Sequence, residues 1–194
     1  MTEFRPLTIG IDATNLRGGG GVTHLLELLR VEQPLKHGIE RIVIWGSKST
    51  LNMCCNRSWL DKKTPSMLDK GLLKRTFWQR FRLAQAARDE GCDLLFVPGG
   101  SYAGDFYPVV TMSQNLLPFE TNELRRYGWT LFTLKLLLLR FIQSASFKKA
   151  DGVIFLTQYA RNVVLGFIGK LQGKTRIIPH GLNTRFYKEP KLQR

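Results

Sequence analysis

Short, wholly apolar runs rich in β-branched residues alternate along this chain with longer segments whose apolar residues recur three and four positions apart. The first run, residues 7–12, ends at an acid and suits a buried strand. After Arg17 and four consecutive glycines, residues 22–31 carry Val22, Leu25, Leu26 and Leu29 at helical spacing, with Pro34 beyond the end. Residues 40–45 form a second strand, and 47–70 read as polar and irregular. The spacing predicts an amphipathic helix over 71–90. Leu73, Phe77, Phe81, Ala84 and Ala87 share its apolar face, and Lys74, Arg75, Arg82 and Arg88 lie mostly elsewhere. Strands over 93–97 and 108–112 precede a long helical region from about 120 to 149. A strand over 151–156, a helix over 158–168 and a last strand over 175–178 complete the pattern.

Strands that are apolar on both faces and alternate with helices call for a parallel sheet covered on each side. The expected fold is therefore α/β: a Rossmann-like, open, mostly parallel sheet with helices on both faces. At 194 residues and 43% hydrophobic, the chain fits one domain with a sizeable core. That domain is expected to span residues 1–181.

Charge changes the picture. Twenty-nine Lys and Arg against 15 Asp and Glu give a net charge of +14, which attracts polyanions. The excess is heaviest over 57–90, with nine basic and four acidic residues, and over 170–194, with seven and one. Neither is an uninterrupted basic block, which disfavours nucleic acid as the partner. Cys54, Cys55 and Cys92 do not make a disulfide framework or a zinc pattern, and suit reduced thiols in the cytosol. The N-terminal residues lack a signal peptide's basic start and apolar run. The apolar stretch 129–142 contains Lys135 and Arg140 and is too short to span a bilayer. The expected location is cytoplasmic, or peripheral on the inner face of the membrane.

In an open α/β sheet, ligands bind beyond the carboxyl ends of the strands, which selects the loops 12–21, 98–104, 113–118, 156–158 and 179–183. In the first, Gly19, Gly20 and Gly21 let backbone N–H groups at a helix start approach a diphosphate or a network of sugar hydroxyls; a flexible surface turn is the competing reading. Consecutive glycines and a second strand that does not end in an acid disfavour NAD. Tyr102 could stack on an acceptor or simply fill a turn. Gln114 and Asn115 are neutral groups able to hold a substrate hydroxyl, or else to satisfy a polar turn. His180, followed by Gly181, could donate to a phosphate or occupy an ordinary turn. No Ser-His-Asp set, metal-ligand spacing or Walker A sequence stands out, so no metal or other cofactor is expected. The basic helix with Lys74, Arg75, Trp78, Arg80 and Arg82 is a solvated face by default. A Trp among cations on an exposed face would suit docking to an anionic membrane.

Taken together and in order, these segments resemble the N-terminal domain of glycosyltransferase family 4, of the GT-B class. The matching pieces are Ile9-Gly-Ile-Asp-Ala13 with the glycine loop, Asp93-Leu-Leu-Phe-Val-Pro-Gly-Gly100 and Val109-Val-Thr-Met-Ser-Gln-Asn-Leu-Leu-Pro-Phe-Glu120. They continue with Lys149-Ala-Asp-Gly-Val-Ile-Phe-Leu-Thr157 and Ile177-Ile-Pro-His-Gly-Leu-Asn-Thr-Arg-Phe186. The resemblance implies one half of a two-domain enzyme that moves a sugar from a nucleotide-sugar donor to a lipid-linked or polysaccharide acceptor. It implies that Gly19 to Gly21 contact donor phosphates and that Gln114 and Asn115 line the acceptor side. His180 and Gly181 would stand at the interdomain hinge, and 182–194 would begin the linker. Many members carry a histidine where this chain has Gln114. The family's C-terminal donor-binding domain, with its paired glutamates, is not in these 194 residues, so they are expected to be inactive alone or to act with a separate C-terminal domain. The alternative is a non-catalytic basic module that docks to an anionic membrane or a partner subunit.

Overall fold

A seven-stranded, all-parallel sheet carries the chain, described over residues 5–30 and 33–181 in a computed structural model. β1 (Leu7–Ala13) leads through α1 (Gly20–Leu28) and a 3-10 turn at Pro34–His37 to β2 (Ile39–Gly46). α2 (Lys48–Leu51) and β3 (Leu60–Lys63) follow, then a 3-10 turn at Ser66–Asp69, α3 (Leu72–Phe81) and α4 (Leu83–Asp89). Next come β4 (Leu94–Val97), β5 (Val109–Ser113), a 3-10 turn at Leu117–Phe119, α5 (Thr121–Arg126) and α6 (Leu131–Lys149). β6 (Gly152–Phe155), α7 (Gln158–Ile168) and β7 (Lys174–Ile177) complete the order. Residues 182–194, expected as the start of a linker, lie outside the described residues.

The strand order is β3-β2-β1-β4-β5-β6-β7. The chain winds outward from β1 in one direction and then from β4 in the other, so the switch point falls between these two strands. Right-handed crossovers send the helices of the two windings to opposite faces. One core holds Ile11, Ala13, Ile44 and Leu60 under Val22, Leu25, Leu29 and Leu51. The other holds Val43, Leu95, Val97, Val109 and Phe155 under Trp78, Leu83, Phe147 and Val164. The expected Rossmann-like α/β architecture is thus present.

Three departures from the sequence pattern have physical causes. Residues 47–70, read as irregular, contain β3, whose Leu-Asp-Lys-Lys sequence does not look like a buried strand. It lies at the sheet edge, where polar side chains remain wet, and a charge cluster holds it there. Arg41 donates to Asp61 at 2.7 Å and pairs with Glu90 at 2.5 Å, while Lys63 reaches Glu90 at 2.6 Å. The long helix expected over 120–149 divides into α5 and α6 at Gly128, whose φ of 60° breaks the helical path.

The helix expected over 71–90 is two helices, broken at Arg82 with φ −121°. The expected apolar face does not go inward along its full length: Leu73 is 85% exposed, and Phe77 and Phe81 are exposed too. Only the Ala84 and Ala87 half is buried. In α3 the inward residues are Trp78 and Gln79. The expectation of Trp78 at a membrane is therefore corrected, because it is 5% exposed and packed in the core. Arg75 is corrected as well: its Nη1 donates inward to the Thr14 carbonyl at 3.3 Å.

The rotation of α3 follows from a buried polar junction. Asp12 ends the central strand at 3% exposure, and its carboxylate accepts from the Thr14 N–H at 3.0 Å and from Gln79 Nε2. The same Gln79 amide donates to the Ser101 carbonyl at 2.9 Å. Burial raises the Asp12 pKa above its ordinary 3.8, against the lowering effect of these hydrogen bonds. Gln79→Ala should cost about 1–3 kcal/mol, the usual penalty for leaving a buried acceptor unmet. A carboxyl with a raised folded pKa weakens the fold as pH rises through that pKa. Urea denaturation should accordingly show the Gln79→Ala penalty largest at neutral pH and shrinking in acid. A penalty independent of pH would contradict this assignment.

Candidate functional site

The loops that leave the carboxyl ends of β1, β5 and β7 converge in front of α1. Gly19 sits before the helix with φ 68° and ψ −159°, a conformation that only glycine adopts without strain, and no side chain caps the helix start. A side chain added at Gly18, Gly19 or Gly20 would meet nothing within 4 Å, so open space lies ahead of the first-turn N–H groups. Those groups have no intrahelical acceptor and carry the positive end of the helix dipole. The loop itself is braced from behind. The Thr14 N–H is held by Asp12, the Thr14 carbonyl by Arg75, and Arg17 donates to the Leu68 carbonyl and to the Lys70 carbonyl at 3.4 Å. Burial, and secondarily the nearby Arg17 charge, lowers the Arg75 pKa.

One turn into α1, His24 meets two other loops. Gln114, just past β5, donates from Nε2 to His24 Nδ1 at 3.3 Å and lies 3.2 Å from the Met112 sulfur. His180, beyond β7, places its ring centroid 4.5 Å from that of His24. Gly21 lies against the same group, where a Cβ would come 3.0 Å from Leu16 Cδ2 and 3.4 Å from Gln114 Oε1. Three of the sequence-selected positions, Gly21, Gln114 and His180, are thus brought together, and His24 joins them. His24 is not among the sequence-selected positions. The signal that could have found it is its place four residues after Gly20, on the same helix face.

Burial lowers the His24 pKa below 6.5, and the His180 charge adds to the shift. The neutral ring accepts at Nδ1 and keeps its proton on Nε2, available to donate. Two hydroxyls at strand ends, Thr14 Oγ1 and Ser113 Oγ, are buried without a hydrogen-bond partner among the described residues.

Two expected acceptor contacts are placed otherwise. Tyr102 is 6% exposed, and its hydroxyl accepts from the Phe106 N–H at 2.8 Å while donating to the Phe106 carbonyl at 3.2 Å. Burial pushes its pKa well up. It pins the loop after β4 and has no free polar atom to offer a ligand, which corrects its expected acceptor role. Asn115 is exposed, with its Oδ1 accepting from the Leu117 N–H at 3.1 Å. That bond is the turn-forming use of an asparagine, and leaves only the side-chain amide for other contacts. At the rim, Tyr159 donates to Glu120 at 2.5 Å and joins the segments that follow β5 and β6. Among the described residues, no group of three or more His, Cys, Asp or Glu side chains is placed to hold a metal ion.

The family model described as Glycosyltransferase Family 4 matches residues 18–186, from the glycine loop past the His180 turn. No curated protein matches the chain.

The imidazole pair yields a titration test. Because its folded pKa is depressed, His24 contributes stability that is fully present above pH 6.5 and is lost as pH falls through the folded value. Proton NMR of the unliganded protein should place the His24 midpoint below 6.5, and His180→Ala should move it upward by removing the neighbouring charge. A midpoint at or above 6.5, or one indifferent to His180→Ala, would contradict this geometry.

Proposed function

The chain belongs to glycosyltransferase family 4, and from that premise we propose that it forms the acceptor-side half of an enzyme moving a sugar from a nucleotide-sugar donor to a lipid-linked or polysaccharide acceptor. The reading rests on one observation above all: the uncapped start of α1 faces open space beside His24, His180 and Gln114. In sugar transfer an acceptor hydroxyl attacks the anomeric carbon, and the bond from that carbon to the diphosphate oxygen breaks. Charge develops on the leaving diphosphate, and groups fixed in advance to meet that charge lower the barrier most. The first-turn N–H groups supply fixed dipoles, and the imidazoles supply donors. No metal is required in this scheme.

Gln114 would then hold an acceptor hydroxyl at the edge of the same space. His180 and Gly181 would serve as the pivot from which the chain leaves the sheet. One wall of a cleft cannot hold both reactants in reacting geometry. Residues 1–194 alone are therefore expected to bind the nucleotide part weakly and to turn over negligibly. A second reading, a non-catalytic docking module, draws support from the exposed apolar and basic surface of α3. It requires no response to nucleotides.

Gly20→Asp separates the two readings. A carboxylate in the first turn complements the helix dipole and should add about 0.3–1 kcal/mol to stability. The same charge should repel a diphosphate and weaken nucleoside diphosphate binding, measured by calorimetry, by roughly tenfold or more. Unchanged binding in the stabilised variant would refute the donor-phosphate role. Rapid turnover of a radiolabelled nucleotide sugar by residues 1–194 alone would overturn the claim that they are one wall only.

A further inference from the structure

α3 and α6 lie in one layer over the sheet, on either side of the loop after β4. Gln79 of α3 donates to the Ser101 carbonyl at 2.9 Å, and Ser146 of α6 accepts from the Tyr102 N–H at 2.8 Å. Both helices expose apolar stripes that no other element covers among the described residues. On α3 these are Leu72, Leu73, Phe77 and Phe81, the two phenyl rings lying 4.9 Å apart. On α6 they are Leu131, Leu134, Leu138 and Phe141, preceded by Trp129 at 99% exposure. The α6 stripe advances by three and four residues and lies opposite the buried stripe of Leu136, Gln143 and Phe147. A two-sided apolar helix is not explained by a single core, and exposed patches of this kind mark interaction surfaces.

Charge identifies the occupant. From residue 70 to 88 there are six basic side chains and no acid, and the same holds from 124 to 150. Lys74, Arg80 and Arg82 are exposed beside the α3 stripe, and Arg80 sits 5.3 Å over the Phe81 ring. Arg125 and Lys135 are exposed around the α6 stripe, while Arg126 pairs with Glu123 at 2.9 Å. Leucine and phenylalanine interleaved with exposed cations is the composition of helices that lie in a bilayer interface, with the apolar face roughly 5–10 Å into the headgroup boundary. A second copy of this chain fits poorly, since a two-fold contact would set like charges against each other.

We propose that the outer faces of α3 and α6 form a docking surface for an anionic lipid bilayer. Trp129 and the leucines and phenylalanines of the two stripes enter the interface, and Lys74, Arg80, Arg82 and Lys135 meet lipid phosphates. Among the described residues no helix is long and apolar enough to cross a membrane, so this surface lies on the bilayer. α3 and α6 both run back from the carboxyl edge of the sheet. Their first turns, with Leu72, Leu73, Trp129 and Leu131, therefore sit at the same end as Gly19, His24 and Gln114. For a lipid-linked acceptor, which rests on the transferase reading, docking would bring the sugar-bearing head to the site without leaving the membrane. The docking itself does not depend on sugar transfer.

The test is co-sedimentation of residues 1–194 with vesicles of phosphatidylcholine, with and without phosphatidylglycerol, in the absence of any sugar donor. Binding to the anionic vesicles alone is expected. The double neutralisation Lys74→Gln, Arg80→Gln should lower the partition coefficient by roughly 25-fold, the product of about fivefold for each basic residue near an anionic surface. Leu73→Ser with Phe77→Ser should also release the protein, with the far-ultraviolet spectrum unchanged because both positions are already wet. The vesicle-induced blue shift of fluorescence should vanish in Trp129→Phe while sedimentation persists. Equal binding to neutral vesicles, no binding to either, or self-association lost on Leu134→Ser and Leu138→Ser would each overturn the proposal. A positive result together with failed nucleotide binding would overturn the transferase reading and leave the docking surface standing.

Discussion

A carboxylate buried at the end of the central strand organises this molecule. Asp12 is 3% exposed, and among the described residues its carboxylate makes no ion pair; its hydrogen bonds come from the Thr14 backbone and the Gln79 amide. Burying such a group is costly unless its lone pairs are met. Each donor that meets them also fixes a different element. Thr14 begins the glycine loop, Gln79 belongs to α3, and Gln79 continues to the loop after β4. The start of α1, the rotation of α3 and the position of the 98–104 loop are therefore set by one junction. The rotation turns Trp78 inward, and it leaves Leu73, Phe77 and Phe81 outside. The interior polar contact thus decides what surface the protein presents.

Much of the fold was legible because burial on two faces leaves an unambiguous pattern. The helix over 158–168 was read at the bounds that α7 occupies, and the central strands within a residue or two. Legibility failed where burial is one-sided. β3 is polar because it is an edge, so its composition imitates a loop. The apolar repeat over 71–90 was real, but periodicity reports that a face exists and not which way it points. Here the hydrogen-bonded Gln79 and the packed Trp78 go inward, and three residues of the repeat stay outside. The break at Arg82 could not be seen for a related reason, since no proline or glycine marks it.

The candidate site divides along similar lines. Glycines and strand-end loops announce themselves locally, which is why Gly21, Gln114 and His180 were selected before their contacts were visible. His24 belongs to a helix and becomes part of the site only through partners 90 and 156 positions away, at Gln114 and His180. Tyr102 fails for the converse reason. Its loop position suggests availability, yet the backbone of Phe106 uses both hydrogen-bonding roles of its hydroxyl. The structure therefore separates two surfaces that composition alone had blended into a general positive charge. One is an open patch of first-turn N–H groups and imidazoles at the carboxyl edge. The other is a broad helical face of cations and exposed hydrophobic residues, which adjoins that edge.

The central claim is that the open patch before α1 receives the diphosphate of a sugar donor. Photoaffinity labelling with an azido nucleotide sugar, followed by peptide mapping, tests it most directly. The account predicts label confined to the peptides carrying residues 15–24, 113–118 and 178–181, and competed away by unlabelled nucleoside diphosphate. Label spread over the basic faces of α3 and α6, and displaced by salt rather than by nucleotide, would contradict it.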